Sequence, residues 1–185
     1  MPEPNDQRLA KDPRAGWAEA CAELVRGHYE KVYRFLLHLT RDVHAAEDLT
    51  QETFAAAWQK LAAFQGRAAL GTWLHRIAYT KFIDARRAEG RAAVLRESLL
   101  ETPLSPADPI ETMMADEEAH RLYQLLYSLD VSERTVLVLH YLQGLSYREM
   151  ASVLEESSGT LKWRTSEAIH RLRVLLNDEV PDHAT

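Results

Sequence analysis

Residues 145–173 read LSYREMASVLEESSGTLKWRTSEAIHRLR, and the spacing of their apolar side chains decides the fold. Met150, Ala151 and Leu154 recur at helical spacing behind Ser146, which is suited to cap a helix over Tyr147 to about Leu154. The polar run from Glu155 to Gly159 breaks that helix. Beyond it, Leu161, Thr165, Ala168, Ile169, Leu172, Leu175 and Leu176 fall on one face of a longer one. A short helix, a tight turn and a longer second helix make a helix-turn-helix pattern. The opposite face of the longer helix presents Lys162, Trp163, Ser166, Glu167 and His170, flanked by Arg164, Arg171 and Arg173. Basic groups there can neutralise phosphates and polar ones can reach base edges, although an ordinary solvated face has the same look. An indole opposite the apolar stripe is costly to expose, so Trp163 needs cover from a partner or from its own chain.

Working upstream, Leu122, Leu125, Leu126 and Leu129 form another helical stripe. Ser132 then offers an N-cap to a helix with Val136, Leu137 and Leu139, which Gly144 ends. Residues 97–120 carry seven acids and no Lys or Arg, together with Pro103, Pro106 and Pro109. Proline at that density interrupts helices, so this stretch reads as a flexible acidic linker. Ahead of it, Val32, Phe35, Leu36 and Leu39 recur at helical spacing, as do Phe54, Ala57, Trp58 and Leu61. A third helix, from Thr72 to about Arg91, sets Trp73, Ile77 and Ile83 among basic residues, after a Gly66–Gly71 loop anchored by Phe64. No strand pattern competes. The expected organisation is all-α: a leader over 1–16, a helical domain over 17–95, the linker over 96–115, a second helical domain over 116–177 and a tail over 178–185.

Composition excludes several classes. With 185 residues, 46% hydrophobic and 27% charged, the chain can bury the cores of one or two small domains. No apolar run approaches the roughly 20 residues that cross a bilayer, so no membrane insertion is expected and the cytoplasm is the expected compartment. One cysteine, Cys21, permits neither an internal disulfide nor a thiolate metal cage. No recognised ligand spacing joins His38, His44, Glu47 and Asp48, so no metal and no cofactor is expected. The glycines form neither GxGxxG nor GxxxxGK, no nucleophile elbow occurs, and an enzyme has no sequence support.

The net charge of −6 is unevenly spread. Residues 60–96 hold Lys60, Arg67, Arg76, Lys81, Arg86, Arg87, Arg91 and Arg96 against only Asp84 and Glu89. That strip can meet phosphates, with Trp73, Tyr79 or Phe82 either stacking on bases or filling the core. The helix from Ala45 to Leu61 opens instead with Glu47, Asp48 and Glu52. Acids near a helix start suit its dipole, and they also suit a basic protein partner.

Three segments in order, HAAEDLTQETFAAAWQKL (44–61), FQGRAALGTWLHRIAYTKFIDARRA (64–88) and LSYREMASVL (145–154) followed by GTLKWR (159–164), resemble the extracytoplasmic-function sigma factors of the bacterial sigma-70 family. The resemblance spans about 24–92 and 120–177 and implies sigma region 2, a flexible linker and sigma region 4. It implies docking on core RNA polymerase through Asp48, Leu49, Gln51, Glu52 and Phe54. Minus 10 DNA would be held by Phe64 and its loop with Arg67, Arg76, Lys81, Arg86 and Arg87, and minus 35 DNA by Lys162, Trp163, Arg164, Ser166, Glu167 and Arg171. The implied function is promoter-specific initiation, including melting, with core polymerase, promoter DNA and an anti-sigma factor as partners. The chain departs from the family pattern at Glu155, where glycine is common, and at Trp163 and Glu167, where serine and arginine are common. Glu167 would repel phosphate but can accept from a cytosine amine. Glu155 would cost up to ~1 kcal/mol if its φ must be positive. The rival readings are a helix-turn-helix repressor or activator acting without polymerase, and a helical adaptor or metal-binding protein with no DNA role.

Overall fold

The computed structural model describes residues 17–96 and 117–178, with side chains over 24–90 and 121–177. The expected leader lies outside the described residues, and so do the linker and tail except for Arg96 and Asp178, which end helices. The described helices fall into two compact units. No strand occurs among them.

The first unit is a bundle of α1 (Trp17–Thr40), α2 (Val43–Lys60) and α3 (Leu70–Arg96), each packed on the other two. The predicted α1 stripe is the centre of its core: Val32, Phe35, Leu36 and Leu39 are all buried. A sharp corner follows. Arg41 takes a left-handed φ of 59° and donates its N–H to Leu37 O, while Asp42 caps α2 by accepting from the Ala45 N–H at 2.9 Å. Backbone donors at a helix start need such acceptors, so Asp42 fixes where α2 begins.

The buried stripe of α2 is only partly the one that hydrophobicity suggested: Ala57 and, just past the helix, Leu61 are buried as expected. Ala46, Leu49, Thr50, Thr53 and Ala57 face the core, whereas Phe54 and Trp58 are half-buried. The two threonines tolerate burial because their hydroxyls donate to Ala46 O at 2.6 Å and Leu49 O at 2.7 Å. Small side chains on this stripe leave room for the aromatic residues of its neighbours. A 3₁₀ turn, Leu61–Ala63, leads into the loop, and α3 starts at Leu70, slightly before the expected Thr72. Leu70, Leu74, Ile77, Ala78 and Phe82 complete the core, while Trp73 and Ile83 are half-buried. His75 is buried too: its Nδ1 lies 2.7 Å from Gly71 O and its ring meets Phe35 edge-on at 5.1 Å.

The second unit comprises α4 (Glu117–Ser128), α5 (Val131–Leu137), a wide π-type turn over Val138–Leu142, α6 (Tyr147–Leu154) and α7 (Ser158–Asp178). Leu125, Leu126 and Leu129 are buried as expected, but Leu122 is 53% exposed. Asp130, rather than Ser132, caps α5, because its carboxylate accepts from the N–H groups of Ser132 and Glu133 and from the Ser132 hydroxyl. Ser146 and Glu149 form a reciprocal capping box at the start of α6.

Between α6 and α7 the chain turns at Glu155, whose φ and ψ are 57° and 36°. Ser157 then accepts from the Thr160 N–H and sets the start of α7. Left-handed backbone places Cβ too near a carbonyl, a strain glycine escapes. Glu155→Gly is therefore expected to stabilise the unit by about 0.5–1 kcal/mol, net of the entropy glycine adds to the unfolded chain. A raised denaturation midpoint would confirm the strain. A lowered one would mean that the glutamate side chain contributes more than its backbone costs.

Candidate protein and nucleic-acid interfaces

Three surfaces gather the residues that the sequence marked. The first is the outer face of α2, where Asp48, Gln51 and Glu52 are exposed one after another along the helix. Leu49 does not join them. It keeps only 7% of its surface exposed and belongs to the core, so of the five expected contacts it is the one the fold buries. Phe54 lies half-buried beneath an aromatic ladder: Tyr29 stacks on it at 5.9 Å and on Tyr33 at 6.2 Å. Burial, with the charge of Glu47, pushes the Tyr33 hydroxyl above its ordinary pKa, so it stays a neutral donor beside the acids.

The second surface is the loop before α3 and the outer face of that helix. Gly66 adopts a φ of +65°, which lets the loop fold back while Phe64 packs on Trp73 at 4.9 Å. This contact anchors the loop as the sequence suggested. Arg67, Arg76, Arg86 and Arg87 are exposed. Arg86 also lies over the Phe82 ring at 6.0 Å, and Arg87 lies 3.7 Å from Asp84. Lys81 is different, for its Nζ meets Glu52 of α2 at 3.0 Å. A cation expected on DNA and an acid expected on polymerase are thus bound to each other. Sequence reasoning missed the pair because 29 residues separate its members.

The third surface is α7 in the helix-turn-helix. Lys162, Trp163, Ser166, Glu167 and His170 are exposed, and Trp163 keeps 65% of its surface open. The Lys162 ammonium sits over the Tyr147 ring at 5.8 Å, and that ring stacks on His140 at 4.5 Å. The two expected arginine contacts are held by acids of the same unit. Arg164 pairs with both oxygens of Glu156 at 2.9 and 2.7 Å, and Arg171 meets Glu133 at 2.9 Å and Asp130 at 4.0 Å. The bidentate geometry suits a planar guanidinium and fixes the turn against the helix it precedes.

The acids that hold Arg171 differ in character. Partial burial opposes the ionisation of Asp130, but hydrogen bonds from the Glu133 N–H and from Ser132 outweigh it and hold the carboxyl below its ordinary range. Glu133 moves the other way: burial, and then the Asp130 charge, raise it against the pull of Arg171. A buried carboxylate whose ionisation costs energy gains most from its cation, so this pair ties α5 to α7. Among the described residues no three His, Cys, Asp or Glu side chains converge as a metal site would require, and no helix is long and apolar enough to cross a membrane.

Comparison with known proteins finds matches to both units. The family model for Sigma-70 region 2 matches residues 24–92, and that for Sigma-70, region 4 matches residues 119–172. The ECF RNA polymerase sigma factor SigE of Mycolicibacterium smegmatis is 35% identical over 165 residues, covering 88% of this chain and 62% of that protein, so the chain spans less than two thirds of this relative's length. The ECF RNA polymerase sigma factor SigM of Bacillus subtilis is 30% identical over 165 residues, covering 86% of this chain and 97% of that one. Among solved structures, the sigma factor RpoE in complex with the anti-sigma factor NepR from Bartonella quintana is similar with a TM-score of 0.71 at 25% identity, covering 84% of this chain and 96% of that one.

Proposed function

This chain belongs to the sigma-70 family, as an extracytoplasmic-function sigma factor that directs transcription initiation, and we propose how its two units divide that work. The first unit docks on core RNA polymerase through Asp48, Gln51, Glu52 and Phe54, with Leu49 positioning them from the core. Its loop and α3 hold the opened minus 10 strand, with Phe64 as a stacking wall and Arg67, Arg76, Lys81, Arg86 and Arg87 along the phosphates. The second unit reads the minus 35 duplex with the outer face of α7. The domain limits follow as 17–95 and 116–177, and residues 96–115 connect them.

One observation carries this reading: within the first unit, the exposed acids of α2 and the exposed cations of α3 occupy separate helices, so one small bundle offers a protein a negative face and DNA a positive one. The protein catalyses nothing alone and works in the cytoplasm, where polymerase and promoters are. An anti-sigma protein is a further partner, as in the RpoE and NepR complex.

Reconstitution tests the proposal. Purified chain, core polymerase and genomic DNA of its host are expected to yield transcripts from a small, reproducible set of start sites that core polymerase alone does not use. Tight, sequence-specific duplex binding by the isolated chain, with no start sites in the presence of core, would favour a helix-turn-helix repressor and overturn the sigma reading.

A further inference from the structure

Around Trp163 the outer face of α7 carries little phosphate-neutralising charge outside ion pairs, while Arg173 is exposed near the end of the helix. Arg164 and Arg171 are engaged by Glu156 and by Glu133 with Asp130, which leaves the stripe of Lys162, Trp163, Ser166, Glu167 and His170 to meet a groove. Formal charge on that stripe cancels between Lys162 and Glu167. What stands out is a broad apolar ring, Trp163, and an acceptor, Glu167, one helical turn apart.

Both groups have one good counterpart on a major-groove edge. A carboxylate only accepts, so it suits the amine of cytosine. Adenine sets its N7 acceptor beside its own amine and would oppose a carboxylate. An apolar ring finds its match in the 5-methyl group of thymine. Residues four apart on a helix sit about 5–6 Å from each other, against a rise of about 3.4 Å per base pair, so the two contacts fall one or two base pairs apart. We infer that Trp163 and Glu167 determine the upstream promoter specificity of this sigma factor, selecting a thymine and a nearby cytosine through the thymine methyl and the cytosine amine. The inference rests on the reading of the second unit as the duplex-reading module.

The test uses the full chain bound to core polymerase and a duplex library randomised upstream of the melted region. Wild-type holoenzyme is expected to enrich a thymine and a cytosine within two base pairs of each other. Glu167→Gln should move the preferred base at the cytosine position to adenine, since glutamine pairs with the adenine edge, and a switch of about 5- to 100-fold is expected. Replacing the selected thymine by deoxyuridine, which deletes only the methyl group, should weaken wild-type binding several-fold and leave Trp163→Ala unaffected. Both side chains are exposed, so both variants should keep the wild-type unfolding midpoint. An enriched upstream sequence that neither variant alters would overturn the inference and leave the sigma reading intact. Selection through the downstream element alone would do the same. Failure of the holoenzyme to select any DNA would overturn the sigma reading, and the inference with it.

Discussion

Replacing Asp48, Gln51 and Glu52 together by alanine is expected to abolish comigration with core RNA polymerase on size exclusion, a loss of about 100-fold or more in affinity. The size of the effect follows from where the three side chains stand. All are exposed on one helix, so none is needed to fill the core, and their removal leaves the cap at Asp42 and the buried stripe of α2 intact. Two are acids, and a desolvated acid facing a cation across an interface loses about 2–5 kcal/mol when it is truncated, because its partner is left buried and unpaired. Glu52 also gives up Lys81, but a pair this exposed contributes at most ~1 kcal/mol to the fold. Thermal unfolding should therefore stay near wild type while binding disappears. Comigration of the variant at the wild-type level would remove α2 from the interface and send the search for the docking face elsewhere.

The second large effect is on stability. Phe35→Ala is expected to cost about 3–5 kcal/mol, as the truncation of a fully buried phenylalanine does. Phe35 is fully buried in the core of the first unit and closes on the His75 ring of α3. A domain of this size has little stability to lose, with total values often near 5 kcal/mol, so the first unit should be largely unfolded near growth temperature. Chemical denaturation read by circular dichroism would show the loss of one cooperative transition while the second unit keeps its own. A cost under about 1 kcal/mol would mean that the three-helix core repacks around the missing ring, against the usual penalty for a cavity.

How far these features could be read from the sequence depends on how local their causes are. The stripe of Val32, Phe35, Leu36 and Leu39 and the cap at Ser146 depend on residues a few positions apart and were legible, whereas Glu149 as the other half of the capping box was not, and the turn at Glu155 was marked only through the family resemblance. The buried face of α2 was read only in part: Ala57 and Leu61 are buried as expected, but Thr50 and Thr53 count as polar until their hydroxyls are seen to bond back to the helix. The cap of α5 went to Ser132 instead of Asp130 because both residue types cap well and only the backbone path chooses between them. Leu122 fits its helical stripe and is nevertheless exposed, since periodicity shows a face but not how far the core reaches along it. The candidate surfaces divide the same way. Residue type and the family resemblance named residues that are mostly exposed, but also Leu49, which the core buries. The contacts that occupy Lys81, Arg164 and Arg171 were not legible, because Glu52, Glu156 and Glu133 reach them only through the fold.

The pair of Glu52 and Lys81 has a consequence for genetics. An allele at either position disturbs both members at once, so, on the proposed division of work between α2 and α3, a strain isolated for failing to open promoters can carry its lesion in polymerase affinity, and the reverse. Single alleles at these two sites cannot be assigned to one step by phenotype. Exchanging the charges, Glu52→Lys with Lys81→Glu, preserves the pair while inverting what each helix offers its own partner, and so separates the contribution of the bond from that of the two surfaces it joins.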